Sequence, residues 1–215
     1  MEDGVIEAER PPPTVIAGVL GAAAVVGFVA GGVFGSLSFG TAADASPPDG
    51  TDRPTATAPV ALTVTAASCQ RETRRDAAGN EVDYRADYAV DGDTHTGWQC
   101  QGDGAGETLE LDLGGPARVT RVGLIPGYTK VDPHDGREWY PLFRRLTEVR
   151  WHFDSGDPVS QQLDPDPEVR EVQTIELPEP RETSSVRLEI VSSTRGDTAD
   201  RSVVAVSEIE VLAAQ

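Results

Sequence analysis

Leu109-Glu110-Leu111-Asp112-Leu113 sets three leucines at alternate positions with a carboxylate between each pair. A period of two sends successive side chains to opposite faces of an extended chain, so the segment reads as a strand with one buried face. The alternation recurs where Val149, Trp151 and Phe153 interleave with Arg150 and His152, and where Val186, Leu188 and Ile190 interleave with Arg187 and Glu189. Further runs at Val60 to Ala67, Arg118 to Ile125, Val159 to Leu163, Val172 to Leu177 and Val203 to Val211 bring the expected strands to eight. Turn-forming clusters separate many of them, among them Gly114-Gly115-Pro116, Ser155-Gly156-Asp157-Pro158 and Asp164-Pro165-Asp166-Pro167. Short antiparallel strands with one apolar face predict an all-β jelly-roll β-sandwich. Downstream of the N-terminal region the only helical expectation is a turn or two over Glu72 to Ala78, and no internal repeat is apparent, so an α/β fold is not expected.

The N-terminal region obeys a different rule. No charged side chain occurs between Arg10 and Asp44, and Val15 to Phe39 is almost wholly Val, Ile, Leu, Phe, Ala and Gly. As a helix that run reaches roughly 37 Å, enough to cross a hydrocarbon core of about 30 Å. A cleaved signal peptide is the rival, with Ala43-Asp44-Ala45 as its cleavage site; the acidic n-region (Glu2, Asp3, Glu7, Glu9 against Arg10) and the length of the apolar run favour an uncleaved anchor. The expected organisation is a cytoplasmic tail over residues 1–13, a transmembrane helix over 14–39, a Pro/Thr/Ala-rich stalk over 40–59 and the sandwich over 60–215. The stalk and the cysteines favour a cytoplasmic N-terminus, so the C-terminal domain is expected outside the cytoplasm, on a single-pass cell-membrane protein. Gly27, Gly31 and Gly35 repeat at four-residue steps along one helical face, a pattern that lets two such helices approach as a homodimer.

Two cysteines, Cys69 and Cys100, both fall in the C-terminal part. In an oxidising space they suggest a disulfide worth roughly 3 to 4 kcal/mol in the chain-entropy picture; reduced buried thiols are the other reading. The net charge is −18, of which residues 60–215 carry −13. So acidic a body repels nucleic acid and anionic lipid unless a local basic patch intervenes. Arg outnumbers Lys 17 to 1, which with abundant Ala, Gly, Asp and Val suggests a GC-rich bacterial coding sequence and hence a bacterial cell envelope.

Catalysis finds little support. His95, His134 and His152 are far apart, and no zinc-protease, P-loop, nucleophile-elbow or cysteine-rich metal pattern is present. Asp132-Pro133-His134-Asp135 reads as a turn before it reads as a general base. A non-enzyme is expected.

Ala89-Val90-Asp91-Gly92-Asp93-Thr94-His95-Thr96-Gly97-Trp98, then Gly106-Glu107-Thr108-Leu109-Glu110-Leu111-Asp112-Leu113, then Ser207-Glu208-Ile209-Glu210-Val211, resemble in order and spacing the discoidin or coagulation-factor (F5/8) type C superfamily of galactose-binding-like jelly rolls. That resemblance implies a structural Ca2+ held by the loop and a Glu on the last strand, here Asp91, Asp93, Thr96 and Glu208. A hard cation does want six to eight oxygens, while an ordinary tight turn with a solvated Glu208 explains the same residues. Trp98 is expected in the core.

Leu124-Ile125-Pro126-Gly127-Tyr128-Thr129-Lys130, Gly136-Arg137-Glu138-Trp139-Tyr140 and Phe143-Arg144-Arg145 resemble, more narrowly, the discoidin-like domain of the bacterial NAD-glycohydrolase translocation type, which implies glycan binding. That family's Asn-Gly-Tyr-x-Lys segment has Pro126 at the Asn position here, and Arg144 stands near a second Asn. Independently, the loop holds the only lysine, Lys130, with Arg137, Arg144, Arg145 and a third of the aromatics. Aromatic faces stack on sugar rings and guanidinium groups fork onto oxygens, so Tyr128, Lys130, Arg137, Trp139, Tyr140 and Arg145 are the candidate ligand residues. The alternative is a loop tied to its own sandwich, Trp139 and Phe143 buried and its arginines paired with Asp132, Asp135 and Glu138. The expected function is capture of a carbohydrate or envelope component without catalysis; the alternative is a protein-interaction, assembly or accessory regulatory module of an envelope complex.

Overall fold

The computed structural model describes residues 56–76, 78–197 and 202–215. The expected tail, the transmembrane helix over 14–39, the stalk as far as residue 55 and the Gly27, Gly31, Gly35 face lie outside the described residues. Among the described residues no helix is long and apolar enough to cross a membrane.

The domain is an all-β sandwich. Its strands are β1 (Thr57–Pro59), β2 (Thr63–Ala67), β3 (Arg74–Arg75), β4 (Glu81–Val82), β5 (Trp98–Gln101), β6 (Thr108–Leu124), β7 (Leu146–Phe153), β8 (Val159–Gln162), β9 (Gln173–Ser193), β10 (Val203–Val206) and β11 (Ile209–Ala214), with one 3₁₀ turn at Ala86–Ala89. The larger sheet runs β1-β11-β6-β9-β7-β8, and β2 also pairs with β6; β5 with β10 forms the facing ribbon, and β3 with β4 a small hairpin.

Three features depart from the sequence-based expectation. The runs at Leu109–Leu113 and Arg118–Ile125 belong to one strand, β6, because Gly114 and Gly115 take φ of 74° and 148° and bulge the chain without ending the ladder. β9 follows it, pairing Leu109 with Leu188 before the bulge and Val122 with Ile175 after it. The sandwich starts before residue 60, since Thr57–Pro59 pairs with Leu212–Ala214 at a sheet edge where proline's missing donor is tolerated. Finally, the stretch expected to be helical supplies β3 and the turn of the β3–β4 hairpin.

Trp98, Leu109, Leu111, Val149, Trp151, Leu188, Ile190, Val204, Val206 and Ile209 share one core between the sheets. Trp98 is 1% exposed and donates its indole N–H to the Cys69 carbonyl at 2.8 Å, which meets the rule that a buried polar tip finds a partner. Cys69 and Cys100 are bonded, tying the segment after β2 to the β5 ribbon.

β10 is buried on both faces, and this positions the site. Val204 and Val206 face the central core, whereas Val203 and Ala205 lie in a second cluster with Tyr128 and Phe143. The second cluster forms because the loop from Pro126 to Arg145 folds back over the ribbon. The loop closes where the Leu146 N–H donates to the Pro126 carbonyl at 2.8 Å and the Arg144 N–H to the Val203 carbonyl at 3.1 Å.

Candidate functional site

Over that second cluster lies a cleft of about 320 Å³, between the β3–β4 hairpin and the outer limb of the loop. Its floor is aromatic. The Tyr128 and Phe143 rings stack with centroids 5.6 Å apart and planes 15° apart, and Trp139 tilts against Phe143 at 5.6 Å. Tyr128 is 5% exposed, and burial pushes its phenol well above the ordinary tyrosine value. Trp139 is half-buried. Gly127 precedes Tyr128 because a Cβ there would meet the Tyr140 ring at 2.5 Å.

The outer wall is a finger. The Trp139 N–H donates to the Lys130 carbonyl at 3.1 Å and the Asp132 N–H to the Arg137 carbonyl at 2.8 Å, so Lys130 and Trp139 face each other at its base. Arg137 lies 5.5 Å over the Trp139 ring and 3.0 Å from the Asp135 carboxylate. On the other side Arg71 donates to the Gln99 side-chain carbonyl at 2.7 Å, its guanidinium 4.7 Å from the centre of the Tyr84 ring. Arg74 and Arg75 rise beside it on β3.

Four of the six expected ligand residues therefore meet here: Tyr128, Lys130, Arg137 and Trp139. Tyr140 and Arg145 do not. Tyr140 is 1% exposed and donates its hydroxyl to the Val169 carbonyl at 2.8 Å; burial raises its phenol to about 12. The Arg145 guanidinium is spent on four backbone carbonyls, those of Pro165 (2.5 Å), Pro141 (3.0 Å), Tyr140 (3.2 Å) and Phe143 (3.4 Å). Both correct the sequence-based expectation for one physical reason: a buried loop leaves carbonyls that water cannot reach, and these side chains satisfy them. Arg71, Arg74, Arg75 and Tyr84 also line the cleft, outside the set of residues that the sequence singles out. The Arg71–Arg75 stretch, basic in an acidic chain, was the available signal, but it gains meaning only when the disulfide and β5 draw it beside the loop.

A second constellation sits in the turn after the 3₁₀ segment. The Thr96 hydroxyl lies 2.9 and 3.1 Å from the Asp91 carboxylate oxygens, 2.9 Å from the Asp93 carbonyl and 3.4 Å from the Tyr88 carbonyl. Glu208 accepts from the Gly92 N–H at 3.1 Å; burial first, and then the charge of Asp91, raise its carboxyl to about 7. The Asp93 carboxylate departs from the expected ligand set, since it accepts from the His95 N–H at 2.9 Å and faces the His95 ring. Among the described residues no three His, Cys, Asp or Glu side chains converge. The donor set that fits a hard cation is thus two carboxylates, Asp91 and Glu208, with the Thr96 hydroxyl and the carbonyls of Tyr88 and Asp93.

A discoidin-like β-sandwich with a cleft at its loop end defines the class. Residues 63–212 match the NAD glycohydrolase translocation F5/8 type C domain, and the chain belongs to that family. No curated protein sequence matches significantly. Among solved structures, the family 32 carbohydrate-binding module of NanJ from C. perfringens in complex with galactose is similar at 15% identity, covering 73% of this chain and 99% of that one with a TM-score of 0.49. The corresponding module of AlyQ in complex with 4,5-unsaturated mannuronic acid is similar at 13% identity, covering 72% and 95% with a TM-score of 0.44. A Clostridium perfringens module in complex with GalNAc-β-1,3-galactose is similar at 16% identity, covering 72% and 99% with a TM-score of 0.47. Those sugars belong to those proteins, and the cleft here stands on its own residues.

Proposed function

We propose that the domain is a non-catalytic binding module that captures a saccharide of the cell envelope in the cleft between the β3–β4 hairpin and the Lys130–Trp139 finger. The observation that carries the reading is the half-buried Trp139 ring, backed by the buried Tyr128 and Phe143 and set between the cations of the hairpin and of the finger. An indole held in this way offers apolar surface to a sugar's C–H groups, and the cationic rim offers donors to its oxygens. Among the described residues the lining carboxylates have partners of their own, Asp76 in its own turn, Asp132 with the His134 N–H and Asp135 with Arg137, which suits a binding role better than a catalytic one.

Residues 14–39 anchor the domain in the cell membrane and hold it outside the cytoplasm; the chain is expected to stay in the membrane pellet through a carbonate wash, and release would remove this part. A structural Ca2+ is held at Asp91 and Glu208. The central test is a glycan array probed with the whole 215-residue chain in mild detergent. Saccharide binding is expected, and Trp139→Ala is expected to weaken it at least about ten-fold. Silence on every saccharide, or binding indifferent to Trp139→Ala, would overturn the proposal.

A further inference from the structure

We infer that the ligand carries an anionic group, a carboxylate or a phosphate on the saccharide, and that Arg74 and Lys130 receive it from opposite walls of the cleft. The inference rests on the proposed saccharide site and specifies its chemistry. Five cationic side chains line this cleft, Arg71, Arg74, Arg75, Lys130 and Arg137, against three carboxylates, in a chain whose net charge is −18. A local excess of positive charge on so acidic a body calls for a reason.

The partners of each group show where that excess is available. Asp76 accepts the N–H groups of Ala78 and Asn80 at 2.9 and 2.8 Å and the Asn80 amide at 3.1 Å, which hold its carboxyl below the usual carboxylate range. Asp132 accepts the His134 N–H at 2.9 Å, and Asp135 takes Arg137 at 3.0 Å. Arg75 leans on the Gly79 carbonyl at 2.8 Å and lies 3.8 Å from Glu81. Arg71 is committed to Gln99 and to the Tyr84 ring. Among the described residues, the side chains of Arg74 and Lys130 have neither a hydrogen-bond nor an ion-pair partner; Arg74 is exposed on β3 and Lys130 half-buried on the finger.

An anion between these walls would meet a guanidinium fork and an ammonium, while the half-buried Trp139 packs against the ring that bears it. The negative field of the rest of the domain does not prevent this. Beyond about 10 Å exposed charges are screened at ordinary ionic strength, whereas the two cations act at contact distance. The same field sets specificity, since a polyanion such as nucleic acid would extend past the cleft onto the acidic surface.

The test compares matched neutral, uronate- or sialate-bearing and phosphate-bearing saccharides on one array, using the whole chain, the Arg74→Gln/Lys130→Gln double variant, and Arg118→Gln as a control for bulk charge. Arg118 is exposed on β6 beside Glu182, at 3.9 Å. Acidic members are expected to bind about ten-fold or more tightly than their neutral counterparts; the ratio is expected to collapse towards one in the double variant and to persist in the control. Preference for carboxylate alone or phosphate alone identifies the group, and either supports the inference. Neutral members bound as tightly as acidic ones, with Trp139→Ala still abolishing binding, would overturn the anionic reading and leave saccharide capture standing. A preference lost equally in Arg118→Gln would overturn it in favour of bulk charge, and an array silent throughout would remove both readings.

Discussion

Arg137 and Arg145 sit on one loop, and their guanidinium groups face opposite ways. Arg145 is 6% exposed and bonded to four carbonyls, while Arg137 is exposed at the rim, stacked over Trp139. The aromatic residues divide likewise: Tyr140 points into the domain towards Val169, and Trp139, its neighbour, closes the floor of the cleft. The inner limb from Tyr140 to Arg145 is scaffold and the outer limb from Lys130 to Trp139 is surface. Residue type does not separate them. What separates them is which side chain lies beside backbone carbonyls that the folded loop has cut off from water.

The strongest way to break this contrast is to remove the scaffold. Arg145→Met keeps the apolar stem and abandons several buried acceptors, so it is expected to destabilise the domain by about 3 kcal/mol. Chemical denaturation of the whole chain reads that loss, and a change below about 0.5 kcal/mol would mean the inner limb is not structural. Trp139→Ala belongs to the other class. It gives up a half-buried ring and should cost about 1 kcal/mol while removing saccharide binding. Were it to unfold the domain as readily as Arg145→Met, the two limbs would be one scaffold and the cleft no independent surface.

The same contrast explains what could be read from the residues alone. Strands were legible because burial on one face writes a period of two into the chain, as at Leu109, Leu111 and Leu113, all within 7% of full burial. The fusion of two runs into β6 was not, since Gly114-Gly115-Pro116 is equally compatible with a turn and with a bulge. The loop was legible as a concentration of aromatic and basic groups, and four of six candidates do line the cleft. That Tyr140 and Arg145 turn away from the cleft was not legible, because their partners are backbone carbonyls, of Val169 and Pro165 in a distant segment and of Arg145's own loop, and a carbonyl has no side-chain signature. Arg74 escaped notice for the complementary reason: it lies far from Lys130 in the chain and reaches the cleft only through the hairpin.

The turn at Asp91 sharpens the comparison by the smallest effect, because there a half-buried carboxyl, that of Glu208, lies beside the like charge of Asp91. Glu208 is held near 7 when folded, above the ordinary carboxylate value of 4.5, chiefly by burial. A raised folded pKa stabilises the protonated form, so this contribution is fully present below about pH 4.5 and is lost as pH rises through about 7. In chelator the melting temperature is therefore expected to decline over that window by a shift on the order of 1–2 °C, and Glu208→Gln, which stays neutral, is expected to flatten the slope. At the proposed calcium site the ion would require the ionised carboxylates and so reverse the trend, raising the melting temperature more at pH 7.5 than at pH 5 in the native chain and leaving Glu208→Gln nearly unmoved. A native chain whose melting is indifferent to both pH and calcium would make Asp91 and Glu208 ordinary surface carboxylates, and the turn would then join the scaffold with Arg145.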